Sequence, residues 1–345
     1  MVVDTAIVGF RFRHHGKHSG YDQIVSYLEN VYYLNRNHYD LMLLLKNVPL
    51  PSRIVVFLNK IRDWLFYFKL RKICSNTNIK YIHFIYPENT LAFCPFEIPC
   101  DKIVIATFHQ PLEFFEHIFR NCSRIEVRNF RRVNKAILLS KDKIFNFKEL
   151  TGIENIVFIP HGVNRDFFRP SPNLRESNCI LFLGNWLRDF EIASIVFRKL
   201  NKQFDYLKII VICDKEFHCH FMGINGITLL HSISDSELLI YLQSVSLLFL
   251  PLKGATANNA IIESASCGLP IVATGLPAIE DYINSDSITQ IDINESKDVE
   301  GICKLLINLL NDEIGLTRQS ILIRKATEHL CWRNITKITR QYYSL

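Results

Sequence analysis

The sequence predicts an α/β protein built from two doubly wound domains that face a central cleft. Short runs of Ile, Val and Leu, such as ILFLG and LKIIVIC, alternate with helical patterns along all 345 residues. Continuous apolar runs are typical of strands that are covered on both faces, as in parallel sheets. Strands that alternate with helices indicate right-handed βαβ units, whose ligands bind beyond the carboxyl ends of the strands. Two sheets of this kind predict one ligand site in the cleft.

The predicted elements follow the same rhythm in both halves of the chain. In the first half we expect strands at 3–9, 40–45, 79–86, 102–108, 135–140 and 155–159, and helices at 22–34, 53–74, 112–133 and 143–150. In the second half we expect strands at 179–183, 207–213, 227–231, 246–250, 270–274 and 288–291, and helices at 189–203, 235–243, 257–267, 296–311 and 315–343, the last with a break near 329–333. The stretch FFRPSPNLRESNC is rich in Pro, Ser and Asn and marks the boundary. The two domains are therefore expected over residues 1–165 and 166–329.

The composition indicates an ordered protein without a metal site or a membrane span. Hydrophobic residues make up 48% and charged residues 21%, and the net charge of +6 is too small to indicate a partner. The ten cysteines are scattered without a paired CxxC set, which argues against structural zinc. The opening MVVDTAIVGFRF is typical of a strand rather than an export signal, so we expect a reducing, cytoplasmic location. The most apolar stretch, residues 54–70, is not expected to cross a bilayer because it carries Lys60, Arg62, Asp63 and Lys69.

Two predicted strand-to-helix loops have features of anion sites. In GFRFRHHGKHSGYDQ, Gly16, Ser19 and Gly20 precede a helix, whose backbone amides favour an anion. A flexible basic turn explains the same pattern equally well, and we interpret His18 and its neighbouring histidines as solvated. In ILFLGNWLRDFE the strand ends at Gly184, and Arg188 at the following helix start adds a cation suited to phosphate. The alternative there is a surface arginine.

The third loop, LPLKGATANNAIIES, leads into an apolar helix that carries one carboxylate. Thr256, Asn258 and Asn259 precede or begin this helix, and Glu263 lies within it among Ile and Ala residues. A buried unpaired carboxylate costs several kcal/mol, so Glu263 is expected to meet a polar partner. A phosphate at the helix start would bring an attached ribose within reach of Glu263, whose oxygens accept from paired hydroxyls. The alternative is a glutamate paired with a core Arg or Lys.

The stretch NNAIIESASCGLPIVATGLPAIEDYI resembles the donor-site signature of the retaining family 4 glycosyltransferases, also described as glycosyl transferases group 1, which have the GT-B fold. Looser similarities are HSGYDQ, TFHQPLEFF, FIPHGVNRDFFRP and FLGNWLRD. The resemblance implies transfer of a sugar from a nucleoside-diphosphate sugar to an acceptor hydroxyl, with retention at the anomeric carbon and without a divalent metal. It also implies synthesis of cell-surface glycan, polysaccharide or glycolipid, and a last helix, within 330–345, that crosses back to the first domain.

The family's functional residues carry over to matching positions of this chain. The resemblance gives catalytic roles to His109, which would face the donor sugar and acceptor, and to Arg188, which would neutralise the leaving diphosphate. It implies that the donor-binding residues are Gly20, Gly184, Arg188, Thr256, Asn258, Asn259 and Glu263, with Glu263 on the ribose hydroxyls. One departure is Ala255, which stands where the family has the first glutamate of its motif. Sugar choice is therefore open, and a catalytically silent relative that binds a nucleotide sugar or supports a partner transferase is the alternative function.

A basic face is expected on predicted helix 112–133. Five basic residues recur at helical spacing and would share one face of this helix: Arg120, Arg124, Arg128, Arg131 and Lys135. Predicted helix 53–74 adds Arg53, Lys60 and Arg71 beside Phe57 and Trp64. These residues predict a face for a glycan or lipid-linked acceptor or for an anionic membrane, with the protein peripheral on its inner face, although a solvated helix face explains them equally well. A nucleic-acid partner is not expected, because it leaves the Glu263 helix unexplained.

Overall fold

The computed structural model describes residues 3–12, 15–40, 51–121, 124–171, 175–292 and 298–344. The chain divides into two compact units. Unit 1 comprises Met1–His15, Gly20–Ile159 and Ile335–Leu345, and unit 2 comprises Gly16–Ser19 and Pro160–Asn334. Within the described ranges each unit holds a six-stranded sheet, and all the strand pairs in both sheets are parallel. The prediction of two doubly wound α/β domains is confirmed.

The sheet of unit 1 has the spatial order β2-β1-β3-β4-β5-β6. Its strands are β1 (Thr5–Gly9), β2 (Val31–Asn35), β3 (Tyr81–Phe84), β4 (Ile103–Phe108), β5 (Lys135–Leu138) and β6 (Asn155–Phe158). The helices of this unit are α1 (Ser52–Cys74), α2 (Leu112–Asn121), α3 (Arg124–Phe130) and α4 (Ile144–Thr151), with short 3₁₀ helices at Tyr21–Tyr27 and Arg36–Tyr39. Buried Phe66 and Leu70 of α1 and Phe115 of α2 belong to the same core cluster as the sheet residues Ile82 and Val104.

Two predicted elements near the N-terminus need correction. The predicted helix 22–34 is a 3₁₀ helix, Tyr21–Tyr27, followed by strand β2. Asn30 turns the chain with a left-handed φ of 55°, and the β-branched and aromatic residues that follow favour an edge strand that pairs with β1. The predicted strand 40–45 lies, from residue 41 on, outside the described residues. Helix 112–133 is described as α2 and α3, and residues 122–123 between them also lie outside the described part.

Lys135 does not belong to the predicted basic face. It begins β5, is buried, and donates from Nζ to the carbonyls of Tyr342 (2.9 Å) and Tyr343 (3.1 Å). The Tyr343 hydroxyl in turn bonds buried His83, at 2.7 Å from Nδ1. These contacts fix the C-terminal residues in unit 1, so the lysine is a structural cation.

The sheet of unit 2 has the spatial order β12-β11-β10-β7-β8-β9. Its strands are β7 (Cys179–Leu183), β8 (Lys208–Ile212), β9 (Ile227–Leu230), β10 (Leu247–Leu250), β11 (Ile271–Thr274) and β12 (Thr289–Ile291). The helices are α5 (Phe190–Gln203), α6 (Asp235–Ser244), α7 (Asn259–Ser266), α8 (Pro277–Glu280), α9 (Val299–Asn311), α10 (Glu313–Ala326) and α11 (Trp332–Ser344), with short 3₁₀ helices at Lys215–Phe221, Ser285–Ser287 and Glu328–Leu330. Helix α11 begins in unit 2, and its residues from Ile335 on belong to unit 1. None of the helices in the described ranges has the length and hydropathy needed to span a bilayer.

Candidate functional site

Arg188 is held in a fixed position at the carboxyl end of β7. Its Nε donates to the Leu183 carbonyl at 2.9 Å, and its Nη1 donates to the Trp186 carbonyl at 2.8 Å. The residue before it, Leu187, has a left-handed φ of 57°, which is strained for a residue with a Cβ. Burial lowers the pKa of Arg188 to about 10, so the guanidinium stays charged at neutral pH. No carboxylate in the described ranges forms an ion pair with it, which makes this cation suited to an anionic ligand.

Gly184 leaves the space in which this guanidinium lies. Its φ is +97°, a conformation that residues with a Cβ rarely adopt. A Cβ at this position would lie 2.6 Å from Nη2 of Arg188. The glycine that ends β7 is therefore required both by the turn and by the arginine.

The start of helix α7 lies next to this cation. Asn258 caps the helix, and its Oδ1 accepts from the Ile261 amide and from Nη2 of Arg188, both at 3.3 Å. Asn259 is the first helical residue, and Thr256 lies in the preceding turn. Helix starts present free amides and a positive dipole end. One asparagine oxygen thus joins two groups that both favour an anion.

Glu263 lies in the second turn of α7 and is only 6% exposed. Its Oε1 accepts from the Ser19 hydroxyl at 2.7 Å. No ion pair to Glu263 occurs in the part of the chain that the structure describes, so the expected alternative, a core Arg or Lys, is not found there. Burial raises the pKa of Glu263 to about 8; the Ser19 hydrogen bond lowers it and the charge of Asp235 raises it further. The carboxylate is therefore met by a hydroxyl group.

The segment Gly16–Ser19 is anchored within unit 2 by His18. Its backbone amide donates to Oδ2 of Asp235 at 2.7 Å, and its ring stacks on Phe167 with centroids 3.8 Å apart. A Cβ on Gly16 would collide with the Asp235 carboxylate, which explains the glycine. The interpretation of His18 as a solvated loop residue is wrong. Asp235 was missed because the pattern SISDSELL marks only a helix start, and its long-range contact leaves no local signal.

In unit 1, His109 follows β4 and packs against two aromatic rings. The ring centroids of Tyr86 and Tyr21 lie 4.4 Å and 5.0 Å from that of His109. Its Nε2 lies 2.7 Å from the Ile85 carbonyl, and because a carbonyl only accepts, Nε2 carries the proton.

Glu88 supports His109 and was not predicted. It is buried, and its Oε1 accepts from the backbone amides of His109 (2.7 Å) and Gln110 (3.2 Å). Burial raises the pKa of Glu88 to about 7, and its Oε2 has no hydrogen-bond partner among the described residues. The available signal was a carboxylate placed two residues after the end of predicted strand 79–86.

The other predicted residues are only partly described. Gly20 precedes the 3₁₀ helix of unit 1 with a φ of +95°. Arg131 is exposed, and Nε of Arg128 lies 4.0 Å from Oε2 of Glu97. The side chains of Arg120 and Arg124 lie outside the described part of the structure. A cluster of three or more His, Cys, Asp or Glu side chains able to hold a metal is not found in the described ranges.

Replacing Gly184 by alanine should disturb Arg188 beyond the ordinary cost of a left-handed alanine. Gly223 provides a matched control, because its φ is +75° and a Cβ there meets nothing within 4 Å. Gly223→Ala is expected to cost about 1 kcal/mol of unfolding free energy. Gly184→Ala should cost more, because its Cβ displaces the guanidinium. Urea unfolding of both variants measures the difference, and equal losses would contradict the packing described for Arg188.

The stability of the protein should fall as pH rises from about 4.5 to 8 because of Glu263. The unfolded carboxyl ionises near its ordinary pKa of 4.5, whereas the folded one stays protonated until about pH 8. Glu263→Gln keeps an acceptor for Ser19 and removes this dependence. The variant should match the wild type near pH 4.5 and exceed it by up to a few kcal/mol near pH 8. Urea unfolding across this range tests the prediction, with exposed Glu280→Gln as control, and parallel profiles for Glu263→Gln and wild type would contradict it.

Comparison with known proteins relates the chain to sugar-transferring enzymes. Residues 177–312 match the family model of glycosyl transferases group 1. A phosphatidyl-myo-inositol mannosyltransferase of Propionibacterium freudenreichii is 25% identical over 195 residues, which are 54% of this chain and 50% of that protein. The chain spans about half the length of the curated relatives it matches.

Solved structures match nearly the whole chain. Anabaena Alr3699/HepE in complex with UDP and glucose superposes with a TM-score of 0.71 at 14% identity, over 99% of this chain and 100% of that one. Sucrose-phosphate synthase from Thermosynechococcus elongatus gives a TM-score of 0.70 at 14% identity, over 99% and 98% of the two chains. At this identity the likeness shows the fold, and it confirms the predicted GT-B architecture. Within the second unit, residues 177–312 are similar to the glycosyl transferases group 1 family.

Proposed function

We propose that this protein is a retaining family 4 glycosyltransferase that moves a sugar from a nucleoside-diphosphate sugar to an acceptor hydroxyl. The observation that carries the proposal is the hydrogen bond from Arg188 to Asn258, which places the guanidinium beside the start of α7. Glu263 lies on the same helix. Similar proteins support it: one relative is named as a mannosyltransferase, and one structural neighbour was solved with UDP and glucose.

In the proposed complex the diphosphate binds between the guanidinium of Arg188 and the positive N-terminal end of helix α7. Arg188 and the first amides of α7 contact its oxygens, with Thr256, Asn258 and Asn259 around the helix start. Glu263 lies five residues beyond Asn258, about 7.5 Å along the helix axis, so one helix serves both the diphosphate and the ribose attached to it. The Ser19 hydroxyl occupies the position we assign to a ribose hydroxyl, and the donor displaces it.

The proposed chemistry depends on positioning and on stabilising the leaving group. Arg188 and the helix amides offset the charge that develops on the departing diphosphate, without a divalent metal. His109 faces the reacting sugar, with Gly20 in the loop that closes over the substrates. Ala255 removes one carboxylate from the sugar side of the site, so the identity of the sugar depends on other contacts.

The acceptor in this proposal is a glycan or a lipid-linked molecule used in cell-surface glycan, polysaccharide or glycolipid synthesis. The protein then works in the cytoplasm and binds peripherally to the inner face of a membrane, with Arg120, Arg124, Arg128 and Arg131 as further contacts to an anionic acceptor. Ala255 favours a second candidate, a silent relative that binds a nucleotide sugar without transferring it.

Turnover assays distinguish the two candidates. We expect the wild type to release nucleotide from one of a panel of UDP-, GDP- and ADP-sugars, and Arg188→Ala to slow release by about 10²–10³-fold, because the leaving group loses its cation. Exposed Arg198 of α5 provides the matched control Arg198→Ala, which should turn over normally. NMR of the product's anomeric proton tests retention.

No release from any donor and acceptor mixture would favour the silent relative. Normal release by Arg188→Ala would remove Arg188 from the mechanism and leave the transferase assignment standing.

A further inference from the structure

One face of helix α1 carries both cationic and aromatic side chains along its length. The spacing of three or four residues places on this face Arg53, Phe57, Lys60, Trp64, Phe68 and Arg71, a set that we call the α1 surface. All six are exposed, and the aromatic members remain 61%, 65% and 47% accessible for Phe57, Trp64 and Phe68. Neighbouring exposed aromatic side chains on one surface are typical of sites that bind a partner.

The positive charge of the α1 surface is not neutralised locally. Asp63 is the acidic residue of α1, and it is bound by Arg36 at 2.6 Å and Arg62 at 2.8 Å. No carboxylate in the described ranges forms an ion pair with Arg53, Lys60 or Arg71. A partner that covers this face must therefore bring negative charge.

A groove of about 600 Å³ adjoins the same surface. Trp64 and Phe68, whose rings stack with centroids 5.6 Å apart, line it together with Phe93, which is 60% exposed. Cations border the groove as well, because Arg71 lies over the Phe96 ring at 5.6 Å. The lining is mainly aromatic, with the Arg36–Asp63 ion pair and the cation of Arg71 beside the rings, a combination that suits a hydrocarbon chain with an anionic head.

The first turns of α1 distinguish a membrane from a nucleic acid as partner. Aromatic rings with nearby cations also bind single-stranded nucleic acid, whose bases stack on the rings. However, Ile54 and Val56 at the start of α1 are 43% and 54% exposed, and aliphatic side chains offer no face for stacking. Lipid headgroups and acyl chains accommodate aliphatic, aromatic and cationic side chains together at the interface.

We propose that the α1 surface binds the protein peripherally to membranes rich in anionic phospholipid, with an acyl chain in the adjoining groove. Arg53, Lys60 and Arg71 contact lipid phosphates, and Phe57, Trp64 and Phe68 enter the headgroup region. The inference deepens the membrane contact of the proposed function, but binding itself requires no transferase activity.

Vesicle co-sedimentation tests the surface. The wild type should bind vesicles of phosphatidylcholine with phosphatidylglycerol and not vesicles of phosphatidylcholine alone. Lys60→Gln with Arg71→Gln should weaken binding by about 25-fold, since each cation near the surface contributes about fivefold. Arg198→Gln with Lys202→Gln removes the same charge from exposed residues of α5, which have no role in the proposal, and should leave binding nearly unchanged.

Tryptophan fluorescence adds a readout of insertion. The chain has three tryptophans: Trp64, the equally exposed Trp186, and buried Trp332. In the Trp186→Phe variant, Trp64 is the one solvent-exposed tryptophan that remains. Its fluorescence should shift to shorter wavelength on anionic vesicles, because the ring enters a less polar environment. The proposal is overturned if the wild type does not bind anionic vesicles, or if the Arg198 and Lys202 variant loses as much binding as the α1 variant. It is also overturned if Trp64 emission stays constant, or if the α1 variant loses affinity for oligouridylate and not for vesicles. If one of these results occurs while the wild type still releases nucleotide normally, the membrane proposal fails and the proposed transferase function stands.

Discussion

The hydrogen bond from Arg188 to Asn258 is the contact on which the candidate site depends. It joins the loop after β7 to the start of α7, at 3.3 Å, through the same oxygen that caps the helix. Gly184 allows it by leaving room for the guanidinium, and Leu187, the residue before Arg188, adopts a left-handed φ. A desolvated cation without an acidic partner in the described ranges and a helix start are thereby fixed side by side, before any ligand arrives.

Glu263 imposes the second constraint. A carboxyl group with this degree of burial favours its neutral form, and the hydroxyl of Ser19 is its observed donor. A pair of ribose hydroxyls would supply the same kind of donor and would favour the charged form more strongly. Binding of the proposed donor therefore favours the ionised form of Glu263, which links the ionisation of this carboxyl group to ligand affinity.

The fold and much of unit 2's site were predictable because their signals are local. Apolar runs specified strands such as β7 and β10, and the polar cluster before Glu263 marked a helix start that the structure confirms. Strand β2 was missed because an edge strand with one neighbour carries little apolar pattern. Glu88 and the Asp235 contact to His18 were missed for another reason: their partners lie about 20 and more than 200 residues away in sequence, which no local pattern encodes.

Calorimetric titration with UDP, GDP and ADP tests the central claim most directly, using wild type, Glu263→Gln and Ser19→Ala. One nucleotide should bind the wild type. It should bind Glu263→Gln more weakly, because the amide accepts hydrogen bonds from ribose hydroxyls less strongly. It should bind Ser19→Ala several-fold more tightly than the wild type, because no serine hydroxyl competes for Glu263. The absence of binding by any nucleotide, or affinities that Glu263→Gln and Ser19→Ala leave unchanged, would contradict the assignment of Glu263 to the ribose.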